Sequence, residues 1–70
     1  MILEFWEVHE DELDEYVIWG DIYGDKKGRF RDGTRIHTSG ISHKSFPTTE
    51  LKQGTTILTR NSIYQLGVRK

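Results

Sequence analysis

Five cationic side chains fall within ten positions, Lys26, Lys27, Arg29, Arg31 and Arg35, and they surround Phe30 in a stretch punctuated by Gly24, Gly28 and Gly33. Guanidinium forks bind phosphate oxygens in bidentate fashion, and an aromatic ring beside them can stack on a base. The same stretch also fits a solvated hairpin loop whose arginines pair with acids elsewhere in the chain. A second group is rich in hydroxyls and amides: Thr38 and Ser39, then Thr59, Arg60, Asn61 and Ser62, with Tyr64 close behind. Such side chains, with the N–H groups of a turn, can hold an anion or a ribose in a shallow site. They equally satisfy their own backbone in hairpins. Arg35 and Arg60 beside these groups favour the ligand reading, and Phe30 and Tyr64 are the aromatics placed to stack.

Other chemistries lack their residues. There is no cysteine, so disulfides, thiolate metal sites and cysteine nucleophiles are excluded. His9, His37 and His43 lack the helical spacing of a zinc site. Ser39 and Ser62 lack the Gly-x-Ser-x-Gly elbow of a serine nucleophile. The acidic run Glu7, Glu10, Asp11, Glu12, Asp14, Glu15 lacks the Asp/Asn and glycine alternation of a calcium loop. The expectation is a binding protein with no catalytic residue, no metal and no cofactor.

The elements that must position these residues read as strands. Glycines and turn residues recur at Gly20, Gly24, Gly28, Asp32-Gly33, Gly40, Gly54 and Asn61-Ser62, separating segments rich in Ile, Val, Thr, Tyr and Trp. A first strand is expected over residues 3–9; Leu3 and Phe5 share one face and Trp6 and Val8 the other, which calls for a bulge or burial on both sides. A second, over 16–23, carries Tyr16, Ile18 and Ile22 on one face and Val17, Trp19 and Tyr23 on the other. The stretch 24–33 is a basic loop. A third strand over 34–42 is expected to kink near Gly40. Residues 46–53 form a loop with one helical turn opened by Pro47, and Gly54 can close it. Strands over 55–60 and 63–68 pair across Asn61-Ser62, with Ile57 and Leu58 on opposite faces. The sum is an all-β domain over 1–70, a small antiparallel sheet or open barrel of four to five strands, SH3-like or OB-like in size.

Seventy residues enclose one core at most, and 34% apolar against 30% charged residues leave little area to stabilise it. Self-association into a homo-oligomer is the expected remedy. The absence of a membrane-length apolar run or a secretory leader points to a soluble, cytosolic protein that does not engage membranes. The net charge of −1 conceals a split: residues 1–25 hold nine acids and no Lys or Arg, whereas the remainder holds all ten basic residues and only Asp32 and Glu50. Opposite halves of this kind imply internal complementarity or an anionic partner for the basic part.

Three stretches carry a resemblance: Gly20-Asp21-Ile22-Tyr23-Gly24-Asp25, then Arg29-Phe30-Arg31-Asp32-Gly33-Thr34-Arg35-Ile36-His37-Thr38-Ser39, then Thr59-Arg60-Asn61-Ser62-Ile63-Tyr64-Gln65-Leu66-Gly67. In these the chain resembles a family of small proteins encoded by tailed bacteriophages and prophages, which share a glycine–aromatic–glycine stretch, a phenylalanine before Asp-Gly, a Thr-Ser pair and a closing Thr-x-x-Ser-x-Tyr-x-Leu-Gly. Residues 43–53 have no counterpart in that pattern. The resemblance implies a phage origin and location in the host cytoplasm, and it favours counter-defence as a role. The leading expectation is a homo-oligomer that sequesters a nucleotide immune signal through Arg29, Phe30, Arg31, Arg35, Thr38, Ser39, Arg60, Asn61, Ser62 and Tyr64. One alternative is an inhibitor of a host defence protein that docks through the acidic N-terminal segment. Another is a small barrel that binds single-stranded nucleic acid, against which the net negative charge weighs.

Overall fold

A long hairpin organises the sheet. In a computed structural model, which describes residues 1–11, 13–60 and 62–70, β1 (Ile2–Glu10) and β2 (Glu15–Tyr23) pair antiparallel from Ile2↔Tyr23 to Glu10↔Tyr16. The register slips between Glu4 and Glu7, because one extra residue is inserted where Phe5 takes a φ of 51°. This bulge resolves the two-faced pattern of the first strand: Leu3 and Trp6 both turn inward and are fully buried, while Phe5 is pushed out. Gly20 makes room for the bulge, since a Cβ there would lie 3.1 Å from the Leu3 Cβ and 3.2 Å from the Glu4 carbonyl oxygen.

The third segment expected from sequence is two short strands, β3 (Thr34–His37) and β4 (Ile41–Ser42). Both pair antiparallel with β2, β3 along Trp19–Ile22 and β4 at Glu15 and Tyr16. Between them the chain kinks, as Gly40 foreshadows. The Thr38 hydroxyl accepts the Ile18 N–H at 3.1 Å, and the Thr38 N–H donates to the Ile18 carbonyl at 3.0 Å, so the ladder is bridged across the gap. A single 3-10 turn (Thr48–Glu50) follows Pro47. β5 (Thr56–Leu58) and β6 (Ile63–Leu66) then form the last antiparallel pair, with Ile57 buried and Leu58 76% exposed.

The protein is therefore all-β with one open sheet, but among the described residues the sheet has six strands and is mixed. β6 lies parallel to β1 through Ile2↔Gln65 and Leu3↔Leu66, giving the order β3-β2-β1-β6-β5. This corrects the expectation of four to five purely antiparallel strands. The kink at Thr38 divides one segment, and the first and last strands meet side by side. One face of the sheet buries Leu3, Trp6, Tyr16, Ile18, Ile22, Ile36, Ile41, Leu51, Ile57, Tyr64 and Leu66. Tyr16 satisfies its hydroxyl by donating to the Phe46 carbonyl at 2.7 Å, and burial, with Glu50 nearby, raises its pKa. No helix among the described residues is long and apolar enough to cross a membrane.

Candidate functional site

The loop joining β2 to β3 is built by two aspartates. Asp25, Lys26, Lys27 and Gly28 make a tight turn in which the Gly28 N–H donates to the Asp25 carbonyl at 3.0 Å and Gly28 adopts a φ of 68°. The Asp25 carboxylate, only 2% exposed, accepts the N–H groups of Lys27, Arg29 and Phe30 at 3.3, 2.9 and 3.1 Å. Burial alone would raise its pKa. The three N–H groups and the Arg29 charge outweigh that and hold it below the usual range. At the far end the Asp32 carboxylate accepts the Gly24 N–H at 3.0 Å, and Gly33 turns the chain into β3 with a φ of 89°. The loop is thus fixed from within, and its cationic side chains stay on the outside.

Three of them meet the β5–β6 turn. Arg29 donates to the Ser62 hydroxyl at 3.3 Å, and Lys26, Lys27, Arg29 and Ser62 surround a shallow cleft of about 400 Å³ whose apolar walls are Met1 and Ile63. Two groups of residues that are 33 positions apart in sequence come together here because β1 lies between β2 and β6. Phe30 is outside the lining; it is 37% exposed, with the Arg29 guanidinium 5.7 Å from its ring centroid. Arg31 and Arg60 are exposed nearby in sequence, outside the cleft lining. Asn61 lies outside the described residues.

The remaining candidates sit elsewhere. Arg35 is on the opposite face of β3, paired with Asp21 at 3.0 Å and with Glu7, and it also donates to the Phe5 carbonyl. The hydrogen bond it donates to Asp21 raises its pKa above the already high arginine value, against a smaller desolvation effect. Thr38 is buried and occupied by the ladder, and the Ser39 hydroxyl is buried without a hydrogen-bond partner among the described residues. Tyr64 is 6% exposed and belongs to the core, so its ring is not presented for stacking. Met1 and Ile63 were missed by sequence reasoning. Nothing local marks them, since they reach the cleft only through the parallel β1–β6 pairing.

On the sheet face away from the core, Trp19 lies between His37 and His9, with ring centroids 4.7 and 6.2 Å away. Glu4, Glu7 and Asp21 share that face through the cross-strand register. Arg35 lies on the same face, paired with Asp21 and Glu7, so these acids are partly neutralised there. Compared with protein-family models, with curated proteins and with solved structures, the chain matches none.

Proposed function

We propose that this chain is a binding protein whose cleft between the β2–β3 loop and the β5–β6 turn holds a phosphate-bearing ligand, a nucleotide by class, without transforming it. The observation that carries the reading is the convergence of Lys26, Lys27, Arg29 and Ser62 on one cleft. Its volume of about 400 Å³ falls within the range of small-molecule sites. Three cationic side chains and a hydroxyl supply the charge-assisted hydrogen bonds that phosphate oxygens accept, and the partly exposed Phe30, next to Arg29 in sequence, is the ring on which a base can stack. Asp25, the one acid of the lining, has turned its carboxylate inward to the loop N–H groups and so competes little with an incoming anion. The resemblance to tailed-phage proteins implies a phage origin, and with that origin the effect of such binding is the withdrawal of a host nucleotide signal.

Calorimetry against a panel of cyclic and linear nucleotides, with inorganic phosphate as reference, tests this. Arg29→Ala is expected to weaken nucleotide binding roughly 10- to 100-fold, the scale of one charge-assisted hydrogen bond, and Phe30→Ala to weaken nucleotide but not phosphate. Nucleotides should be recovered intact after heat release. Failure of every nucleotide to bind, or a cleaved product at catalytic stoichiometry, removes the reading.

A second reading has an observation of its own. The tip of the β1–β2 hairpin carries Leu13, 79% exposed, among Glu10, Asp11 and Asp14, an apex suited to docking on a basic protein surface. If that apex inhibits a host protein, Glu10→Lys with Asp14→Asn, which leaves the Asp11 carboxylate on its turn N–H groups, abolishes the effect on defence and Arg29→Ala leaves it unchanged.

A further inference from the structure

The β1–β2 hairpin holds two complementary features apart. At one end is the cleft, with Lys26, Lys27 and Arg29 around the apolar Met1 and Ile63. At the other is the tip, with Leu13 at the apex and the acids Glu10, Asp11 and Asp14 around it. The ends of the nine-residue β1, at a rise of roughly 3.3 Å per step, lie about 26 Å apart, most of the 30 Å long axis of the molecule. Continuous pairing with β2 on both sides of the bulge keeps the tip from reaching its own cleft. The complementarity can be satisfied only between molecules.

We propose that the tip of one copy docks in the cleft of a second copy, head to tail, with Leu13 against Met1 and Ile63 and the tip carboxylates against Lys26, Lys27 and Arg29. The tip is built to keep its shape: Asp11 accepts the N–H groups of Leu13 and Glu15 through one carboxylate oxygen, and Asp14 closes the turn with a φ of 60°. His43 lies 3.8 Å from Glu10, and Lys44 beside Leu13 and Asp14 partly offsets the charge of the tip. The cleft's charge is offset by Asp25 alone among its lining residues. The contact is heterologous, so successive copies close into a ring or continue as a filament. It is made largely of exposed charges and weakens with salt. This inference rests on the reading above in one respect, that the cleft accepts anions. Tip carboxylates and phosphate then exclude one another at each cleft, so a bound nucleotide releases the neighbouring copy.

Sedimentation velocity of the full chain, with circular dichroism to verify the fold, tests the proposal through two reversed variants. One carries Glu10→Lys and Asp14→Asn, the second removing the charge while suiting the positive φ of that position, and Asp11 is left to hold the turn. The other carries Lys26→Glu and Lys27→Glu, leaving Arg29 on Asp25 and Ser62. The wild type is expected to assemble in low salt and disperse in high salt. Each variant alone should be monomeric, and an equimolar mixture should reassemble. Leu13→Ser, at a position too exposed to affect folding, should also disperse the wild type. A monomeric wild type in low salt, assembly that persists in either variant alone, or a folded mixture that stays monomeric overturns the proposal. Calorimetry on the Glu10→Lys/Asp14→Asn variant, whose cleft is intact, separates the two claims. Nucleotide binding without wild-type assembly removes only the docking, and assembly without nucleotide binding removes only the nucleotide reading.

Discussion

Thr38 and Ser39 are neighbours with opposite fates. Thr38 places its hydroxyl where the ladder lacks a backbone acceptor for Ile18, and it donates onward to the Ser39 carbonyl at 2.9 Å. Ser39 buries its own hydroxyl with no partner among the described residues, and an unsatisfied buried donor is costly. Thr38→Val, which keeps the shape and removes the acceptor, is expected to lower stability by about 1–3 kcal/mol. Ser39→Ala should leave the stability measured by urea unfolding unchanged or raise it, by up to about 1 kcal/mol. The same variant reports on the site: if Ser39 recognised the ligand, its alanine form would bind nucleotide less tightly. Sequence alone could not separate the pair, because both are hydroxyl residues beside a strand end. Likewise the Lys and Arg run and its glycines announced the 24–33 loop, yet Arg35 left the cationic group because the β2–β3 register sets it against Asp21.

At the scale of elements, the alternation of large residues carried information that a simple strand pattern could not absorb. Leu3, Phe5, Trp6 and Val8 fit no single face, and the bulge at Phe5 is how β1 turns Leu3 and Trp6 to the same side. The kink near Gly40 and the opposite faces of Ile57 and Leu58 were legible for the same reason, since each is a local departure from, or instance of, two-residue periodicity. The bulge depends on Gly20 opposite it, where any Cβ meets the Leu3 and Trp6 side chains and the Glu4 backbone. Gly20→Ala is therefore expected to destabilise the fold by about 1–3 kcal/mol through overpacking, and Gly20→Val by more. Denaturant unfolding checks the order. A Gly20→Ala variant as stable as the wild type would mean that the bulge relaxes at little cost.

The whole molecule is closed by contacts no local signal foretells. The parallel β1–β6 pairing brings the last residues of the chain over the first strand. The Trp6 indole donates to the Gly67 carbonyl at 2.9 Å, the Trp6 N–H to the Val68 carbonyl at 3.3 Å, and the Lys70 N–H to the Trp6 carbonyl at 3.0 Å. Glu7 ties this closure to the other edge of the sheet, accepting from His9 at 2.9 Å, from Lys70 at 3.0 Å and from Arg35. These partners, His9 first and then Lys70, outweigh partial desolvation and lower the Glu7 pKa from the ordinary 4.5 to about 2. A carboxylate whose pKa is depressed on folding binds fewer protons folded than unfolded, so its stabilisation is complete above the unfolded value. That stabilisation should be lost as pH falls from about 4.5 to about 2. Asp25 is shifted in the same direction, so the wild-type profile alone does not isolate Glu7. Comparison with Glu7→Gln does: the variant should be less stable at neutral pH, and its difference from the wild type should shrink across that window until the two urea midpoints converge in acid. High salt should reduce the neutral-pH difference, since Glu7 and its partners are all partly exposed. A constant difference from neutral pH to acid would show that Glu7 stabilises the fold by packing and not by its charge.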